Sequence, residues 1–341
     1  MGIGVLAIGT LWLFSKIQAV LPPFIYALIF VYLLRPVVDG LEKRGVNRVL
    51  AIAIAYLFVI AILTILMLIV VPIVIGEIRS FIISLPVHVD YVKKLLIDVS
   101  RSAKVSESAT LSGVINRISS SASEGAMAFA GRIPATAIDL FGGLINFVLA
   151  PLIAFYILKD LGAIKRTIEA AIPSRYREEG MDILEKVDLV LGGFLKGQML
   201  VALSVGVLVG ASMAILGIKY ALLIGIISAV FNIIPYLGPI ASGIPAVLLA
   251  LEKSPGYALL VIAVLTVVNQ LDGLFISPNI MRQQVNLHPT VVIFALLVGG
   301  AIYGIVGLIV AIPVAAVGKA IYLHFREKTE SANGTRALRE V

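Results

Sequence analysis

The 341-residue chain contains no cysteine. That excludes a disulfide framework, a thiol nucleophile and a thiolate metal site. Histidine is nearly absent too. His88, His288 and His324 are scattered along the chain, without the spacing of metal ligands. Charge is sparse: Asp, Glu, Lys and Arg make up 14% of the residues, against about 25% in an ordinary soluble chain. No phosphate-cradling glycine loop and no nucleophile–base constellation is visible. Neither enzymatic activity, nor a cofactor, nor a metal centre is therefore expected.

What the chain has in excess is apolar surface. Hydrophobic residues reach 60% and the mean hydropathy is +1.06, where a soluble chain has about 45–50% apolar residues. In hydrocarbon a chain must satisfy its own backbone polar groups, which a helix does locally. The composition and the long apolar runs predict an all-α integral membrane protein with about eight transmembrane segments. The formal net charge of +7 needs no nucleic-acid partner, because many basic residues fall in short connections and the tail. Membrane topology places them there.

Residues 1–76 read as N-terminal membrane helices. Two apolar runs, 1–15 and 17–34, flank Lys16 and contain Pro22-Pro23. They predict a helical hairpin with its break near 16–23, or else one long kinked helix. A short basic connection, 35–48, carries Arg35, Lys43, Arg44 and Arg48 and is expected in the cytoplasm. Residues 49–76 form the clearest single span. Residues 77–132 mix Ser, Lys, Asp and Glu with apolar residues at helical spacing, as an amphipathic extracytoplasmic segment would. Residues 133–325 read as the membrane core. A charged helical loop at 159–196 interrupts it, with Pro173-Ser174 as a stop and restart. Gly206 and Gly210, in the span 197–218, have the spacing that lets helix backbones approach closely. Residues 326–341 form a polar tail, expected to be cytoplasmic.

The stretch Phe231-Asn-Ile-Ile-Pro-Tyr-Leu-Gly-Pro239 organises the rest. It lies inside the uncharged run 220–251, longer than the ~20 residues of one transmembrane helix. Pro235 and Pro239 break or kink a helix. Freed backbone groups at membrane depth survive only in protein or beside a wet cavity, and transporters build substrate sites on such discontinuous helices. Asn232, Pro235, Tyr236, Gly238 and Pro239 are therefore candidate pathway residues; a plain proline kink or a surface turn is the alternative. A second uncharged run, 283–318, contains Gly299, Gly300, Gly304, Gly307 and Pro313. Gly243-Ile-Pro245 and Ala311-Ile-Pro313 stand at corresponding places in the two runs. If each run is a re-entrant hairpin, the last third is an inverted repeat; if each crosses, the chain has eight spans.

Ionisable and amide groups inside apolar runs are costly and point to function. Asn269, Gln270 and Asp272 lie within one helical turn, suited to a cation, a proton or a polar solute; a helix end at the interface is the alternative. Gln198 opens the span after Lys196-Gly197 and faces either a cavity or the interface. Asp139 and Asp160 lie near span ends, and His288-Pro289 reads as the entry to a helix.

Several of these pieces together resemble one family. Ala154-Phe-Tyr-Ile-Leu-Lys-Asp160, Lys196-Gly-Gln198, the 231–239 stretch, Ser277-Pro-Asn-Ile-Met281 with Val285-Asn-Leu-His-Pro289, and Gly299-Gly300 followed by Gly304, Gly307 and Pro313 are similar to the autoinducer-2 exporter-like (AI-2E) transporters. The resemblance runs in order across almost the whole chain and is weakest at 77–132. Asp272 stands where that family more often has Glu, and Arg282-Gln283 where it tends to have Gly. The resemblance implies a multi-pass permease of the bacterial inner membrane, associated with homo-oligomers. Family members are linked to autoinducer-2 export or to sodium–proton antiport. The expected function is secondary transport of a small polar solute such as autoinducer-2, driven by an ion gradient. A sodium–proton antiporter using Asp272 and a non-transporting membrane scaffold are the alternatives. The expected partners are the lipid bilayer, a small polar solute, sodium ions and protons.

Overall fold

The computed structural model describes residues 2–102, 144–235, 237–281 and 287–337. Among these residues every regular element is helical, as the composition predicts. Helix α1 (Gly2–Glu42) is followed by α2 (Arg48–Ile65), which continues through a π-helical turn, Leu66–Val70, into α3 (Val71–Ser102). Next come α4 (Leu144–Ala171), a 3-10 turn at Ser174–Tyr176, and α5 (Arg177–Ile215). Two short helices, α6 (Ala221–Phe231) and α7 (Leu237–Leu251), precede α8 (Pro255–Leu271). A second π-helical turn, Asp272–Ile276, leads into α9 (Ser277–Ile280), and α10 (Pro289–Ala337) closes the chain.

Among the described residues, five stretches are long and apolar enough to cross a membrane: Pro22–Glu42, Arg48–Ser84, Ser174–Ile215, Pro255–Ile280 and Val306–Lys328. Three shorter apolar helices accompany them, Ala221–Phe231, Leu237–Leu251 and Pro289–Gly304. The protein is thus an all-α membrane protein with broken helices in its last third.

The start of the chain departs from the expected hairpin. α1 runs without a break through Lys16, Pro22 and Pro23 to Glu42. Pro22 and Pro23 each remove a backbone donor, yet the helix runs through them, the long-helix alternative to the hairpin. Arg35 and Pro36, expected in a connection, also belong to this helix.

The chain forms two compact units: Met1–Val59 with Gly143–Gly197 and Met281–Val341, and Ile60–Gly142 with Gln198–Ile280. The first unit has a core of small and branched side chains. Ala27, Val31, Leu34 and Val38 of α1 recur at the spacing of one helix face. They meet Ala51, Ile52 and Ala55 of α2 and Ala150, Ala154 and Leu158 of α4. Alanines at the contact let the helix backbones approach closely. Polar bonds secure the same packing. Tyr56 Oη donates to the Pro151 carbonyl (2.6 Å), and Arg48 Nε donates to the Leu158 carbonyl (2.7 Å). Just beyond, Asp160 leaves the helical region (φ −102°, ψ 16°) and bends α4. Arg35 Nη1 holds both carboxylate oxygens of Asp188, at 3.0 and 2.8 Å.

In the second uncharged run, the described part from Pro289 to Gly318 folds as a helical hairpin within the first unit. Gly304 takes φ +58°, ψ −134°, a conformation open to glycine and to few other residues. A Cβ on Gly299 would lie 2.9 Å from Ala311 Cβ, and one on Gly300 would lie 3.0 Å from Leu308 Cδ2. A straight helix would hold residues 299 and 311 about 18 Å apart, so the chain has turned back on itself.

The second unit contains α3, α6, α7, α8 and the C-terminal part of α5. α6 has 11 residues and α7 has 15. At ~1.5 Å per residue they measure about 16 and 22 Å, each shorter than the ~30 Å hydrocarbon core. They pack on each other, so the run 220–251 also folds as a helical hairpin rather than a single span.

Candidate functional site

The break between α6 and α7 is built from buried polar atoms. α6 ends at Phe231, and Asn232, 5% exposed, stands at its C-cap with its amide bonded to the Ser228 carbonyl. The Asn232 carbonyl has no following helical turn to accept. Gln198, 7% exposed on α5, supplies the missing donor: its Nε2 lies 2.6 Å from that oxygen. Gly238 closes the other side, for a Cβ there would lie 2.8 Å from Asn232 Oδ1. Ser242, fully buried one turn further on, donates from Oγ to the Gly238 carbonyl (2.8 Å). A neutral amide donor thus satisfies an opened main-chain carbonyl inside apolar surroundings. Ser228 Oγ, one turn before Asn232, is buried and has no hydrogen-bond partner among the described residues.

α5 and α6 pack antiparallel with almost no side chain between them. A Cβ on Gly225 would lie 2.8 Å from both the Gly206 carbonyl oxygen and Gly210 Cα, and one on Gly206 would lie 2.5 Å from Ala229 Cβ. The Gly-xxx-Gly spacing at 206 and 210 is therefore the helix contact that brings Gln198 level with Asn232.

The far end of α6 is held by α3. Glu77 Oε2 accepts from the Leu223 amide (2.9 Å), one of the first N–H groups of α6, which have no partner inside the helix. Phe81, one turn along α3, packs edge to face on Tyr220 (centroids 6.0 Å apart, planes at 84°). Tyr220 itself takes φ +59°, the left-handed region, where a bulky residue costs energy. The carbonyls that end α5 are covered as well. Lys253 Nζ donates to Leu216 and Gly217 (3.2 and 2.9 Å), and Tyr257 Oη also donates to Leu216.

Asp272 begins the π-helical turn after α8, and Ser277 Oγ donates to its Oδ1 (2.7 Å). π-Helical turns inside α-helices are rare and concentrate at functional sites. Asn269 is partly buried and Gln270 is exposed. Among the described residues, Asp272 makes its hydrogen bond within its own turn and not to Gln198 or Asn232.

The predicted residues therefore fall into separate groups. Gln198, Asn232 and Gly238 come together at the break. Pro235 lies in the turn and Pro239 in the first helical turn of α7. Asn269, Gln270 and Asp272 form a second group. Tyr236, Asp139 and residues 282–286 lie outside the described residues, as do 103–132 of the amphipathic segment and the rest of 133–143. His288 precedes α10, and its Nδ1 faces the Thr290 amide (3.3 Å), in keeping with a helix entry. Sequence reasoning missed Glu77, Ser228 and Lys253. Only Glu77 carried a signal, as the first charge after a long apolar run.

Paired short helices inside a chain of long apolar spans, with a buried amide at the break, define a multi-pass helical membrane protein. The AI-2E family transporter model matches residues 2–327. YrrI of Bacillus subtilis (strain 168), named for transport, is 32% identical over 318 residues, covering 92% of this chain and 89% of YrrI. YueF of the same organism, also named for transport, is 34% identical over 307 residues, 89% of this chain and 83% of YueF. PerM of Escherichia coli (strain K12), named for a permease, is 24% identical over 319 residues, 92% of this chain and 88% of PerM. The chain belongs to the AI-2E transporter family.

Proposed function

We propose that the protein is a secondary transporter that moves a small polar solute, such as autoinducer-2, through the break between α6 and α7, driven by an ion gradient. The buried Gln198–Asn232 bond carries this reading: it keeps a polar main-chain oxygen inside an apolar helix pair of a transporter-family chain. Buried irregular backbone of this kind suits a pathway rather than a lipid-facing surface. The basic residues Arg35, Lys43, Arg44 and Arg48 favour a cytoplasmic side for the connection after α1. Counting segments from there puts the tail in the cytoplasm, with the protein in a bacterial-type plasma membrane. The exposed apolar face of Arg48–Ser84, including Leu57, Phe58 and Leu68, suits lipid or a second copy in a homo-oligomer. Sodium–proton antiport is the second reading, favoured by Asp272 at a π-helical turn inside a span.

Proteoliposomes with imposed proton and sodium gradients separate the two. Internal pH and autoinducer-2 uptake are followed together, in wild type and Asp272→Asn. Solute flux without a sodium-dependent pH change is the expected result. A sodium-dependent pH change lost in Asp272→Asn establishes the antiporter instead. Silence in both assays with folded protein sinks transport and revives the scaffold.

A further inference from the structure

The last helix ends in a group of charges that the transport site does not use. His324 and Lys328 lie one turn apart on the terminal arm of α10. Glu179, Asp182 and Lys186 share one face of the first turns of α5, at i, i+3 and i+7. The two faces meet. His324 Nδ1 is 2.9 Å from Lys186 Nζ and 3.2 Å from Asp182 Oδ2, and its Nε2 is 3.8 Å from Glu179 Oε1. Lys328 Nζ reaches Glu179 Oε1 at 2.6 Å, and Lys186 Nζ reaches Asp182 Oδ2 at 3.2 Å. The imidazole is only 12% exposed and its Nε2 is buried without a hydrogen-bond partner among the described residues, whereas Lys186 and Lys328 are 41% and 62% exposed. An open cavity of ≈ 960 Å³ borders the cluster, lined also by Glu169 of α4, Arg175 of the 3-10 turn, and Arg177, Glu178 and Glu185 of α5.

We infer that His324 and its neighbours Glu179, Asp182 and Lys186 form a proton-operated latch between the terminal arm of α10 and the first turns of α5. The contacts of the ring differ with its charge. A neutral ring has one accepting nitrogen, and Nδ1 then takes the Lys186 proton. An imidazolium has two donors and no acceptor. Its Nδ1–H turns to Asp182 and its Nε2–H faces Glu179, while Lys186 is repelled. Lys186 has a flexible, exposed stem and swings into solvent, while Lys328 keeps its pairing with Glu179. The carboxylates sit on short side chains of an ordered helix and stay. Protonation therefore trades a lysine–histidine bond for two carboxylate contacts across the helix pair, and the latch tightens as pH falls. The arm so held is the one that follows the hairpin turn at Gly304, so the latch sets how freely that hairpin moves.

The absence of cysteine makes the test direct. Spin labels at Glu178→Cys and Tyr322→Cys, both exposed positions, report the α5–α10 separation by pulsed electron paramagnetic resonance in nanodiscs. At pH about 5.5 one narrow distance is expected. At pH about 8 it should lengthen or broaden by several ångströms, on the order of one helical turn. His324→Arg, a permanent cation, should keep the short distance at both pH values, and His324→Phe should remove the pH dependence. Should His324→Phe not fold, Asp182→Asn is expected to remove the pH dependence in its place. The same distribution at both pH values in the parent chain, or pH dependence that persists in both His324→Phe and Asp182→Asn, overturns the proposal.

Discussion

Gly225→Leu is expected to prevent α5 and α6 from packing and to yield little folded protein. A Cβ at 225 would lie 2.8 Å from the Gly206 carbonyl oxygen and 2.8 Å from Gly210 Cα. Both are main-chain atoms of an ordered helix, so no side-chain rotation relieves the clash. Overpacking a tight interior typically costs about 1–3 kcal/mol and more where nothing can yield; a leucine here adds four carbons at a backbone contact. Gly243→Ala is the matched control. Its Cβ would meet one atom, Leu265 Cδ1, at 4.0 Å, and replacing a helical glycine by alanine gains roughly 0.5–1 kcal/mol. Thermal unfolding in detergent, read by size-exclusion chromatography of heated samples, should place Gly243→Ala at or above wild type and leave Gly225→Leu without a monodisperse peak. A Gly225→Leu protein as stable as wild type would show that the two helices do not approach as described.

Gln198→Leu removes the donor to the Asn232 carbonyl and keeps a side chain of similar size. The carbonyl is then buried and unpaired, at a cost of about 1–3 kcal/mol. If the break forms part of the pathway, that strain falls where transport occurs. Flux should drop at least about tenfold, since about 1.4 kcal/mol on a barrier is a factor of ten. Asn232→Ala separates main chain from side chain. It leaves the carbonyl and its Gln198 partner intact, so stability should change less than in Gln198→Leu. It removes Oδ1 and Nδ2 from the break, so flux should still fall. Flux in proteoliposomes and thermal stability, measured on the same preparations, check both variants. Wild-type flux in Asn232→Ala would remove its side chain from the pathway.

Much of this was legible in the sequence, because the membrane simplifies the code. Long apolar runs can hardly be anything but helices, and prolines or glycines within them mark breaks. The stretch 231–239 therefore marked the first break and Gly299–Gly307 with Pro313 the second, while the choice between a crossing and a hairpin stayed open in the sequence. Gln198 and Asn232 stood out because amides are rare in such company, and the structure joins them. The proline pair at 22–23 left a hairpin or one long helix open, and the structure shows the long helix. Glu77 capping α6 at Leu223 spans 146 positions. His324 meeting α5 spans 138. No periodicity encodes such pairings, because they follow from how separate helices dock.

The most direct test of the pathway asks whether the break meets water. The chain has no cysteine, so Ile233→Cys in the α6–α7 turn can be labelled alone. Leu68→Cys, at an exposed position in the apolar span Arg48–Ser84, serves as the reference buried in lipid. Thiols react as thiolates, and apolar surroundings suppress that form. A membrane-impermeant maleimide in vesicles of both orientations should label Ile233→Cys faster than Leu68→Cys by about tenfold or more, the effect of a raised thiol pKa of at least one unit. Equal, slow labelling of both positions from either side would contradict a pathway through the break.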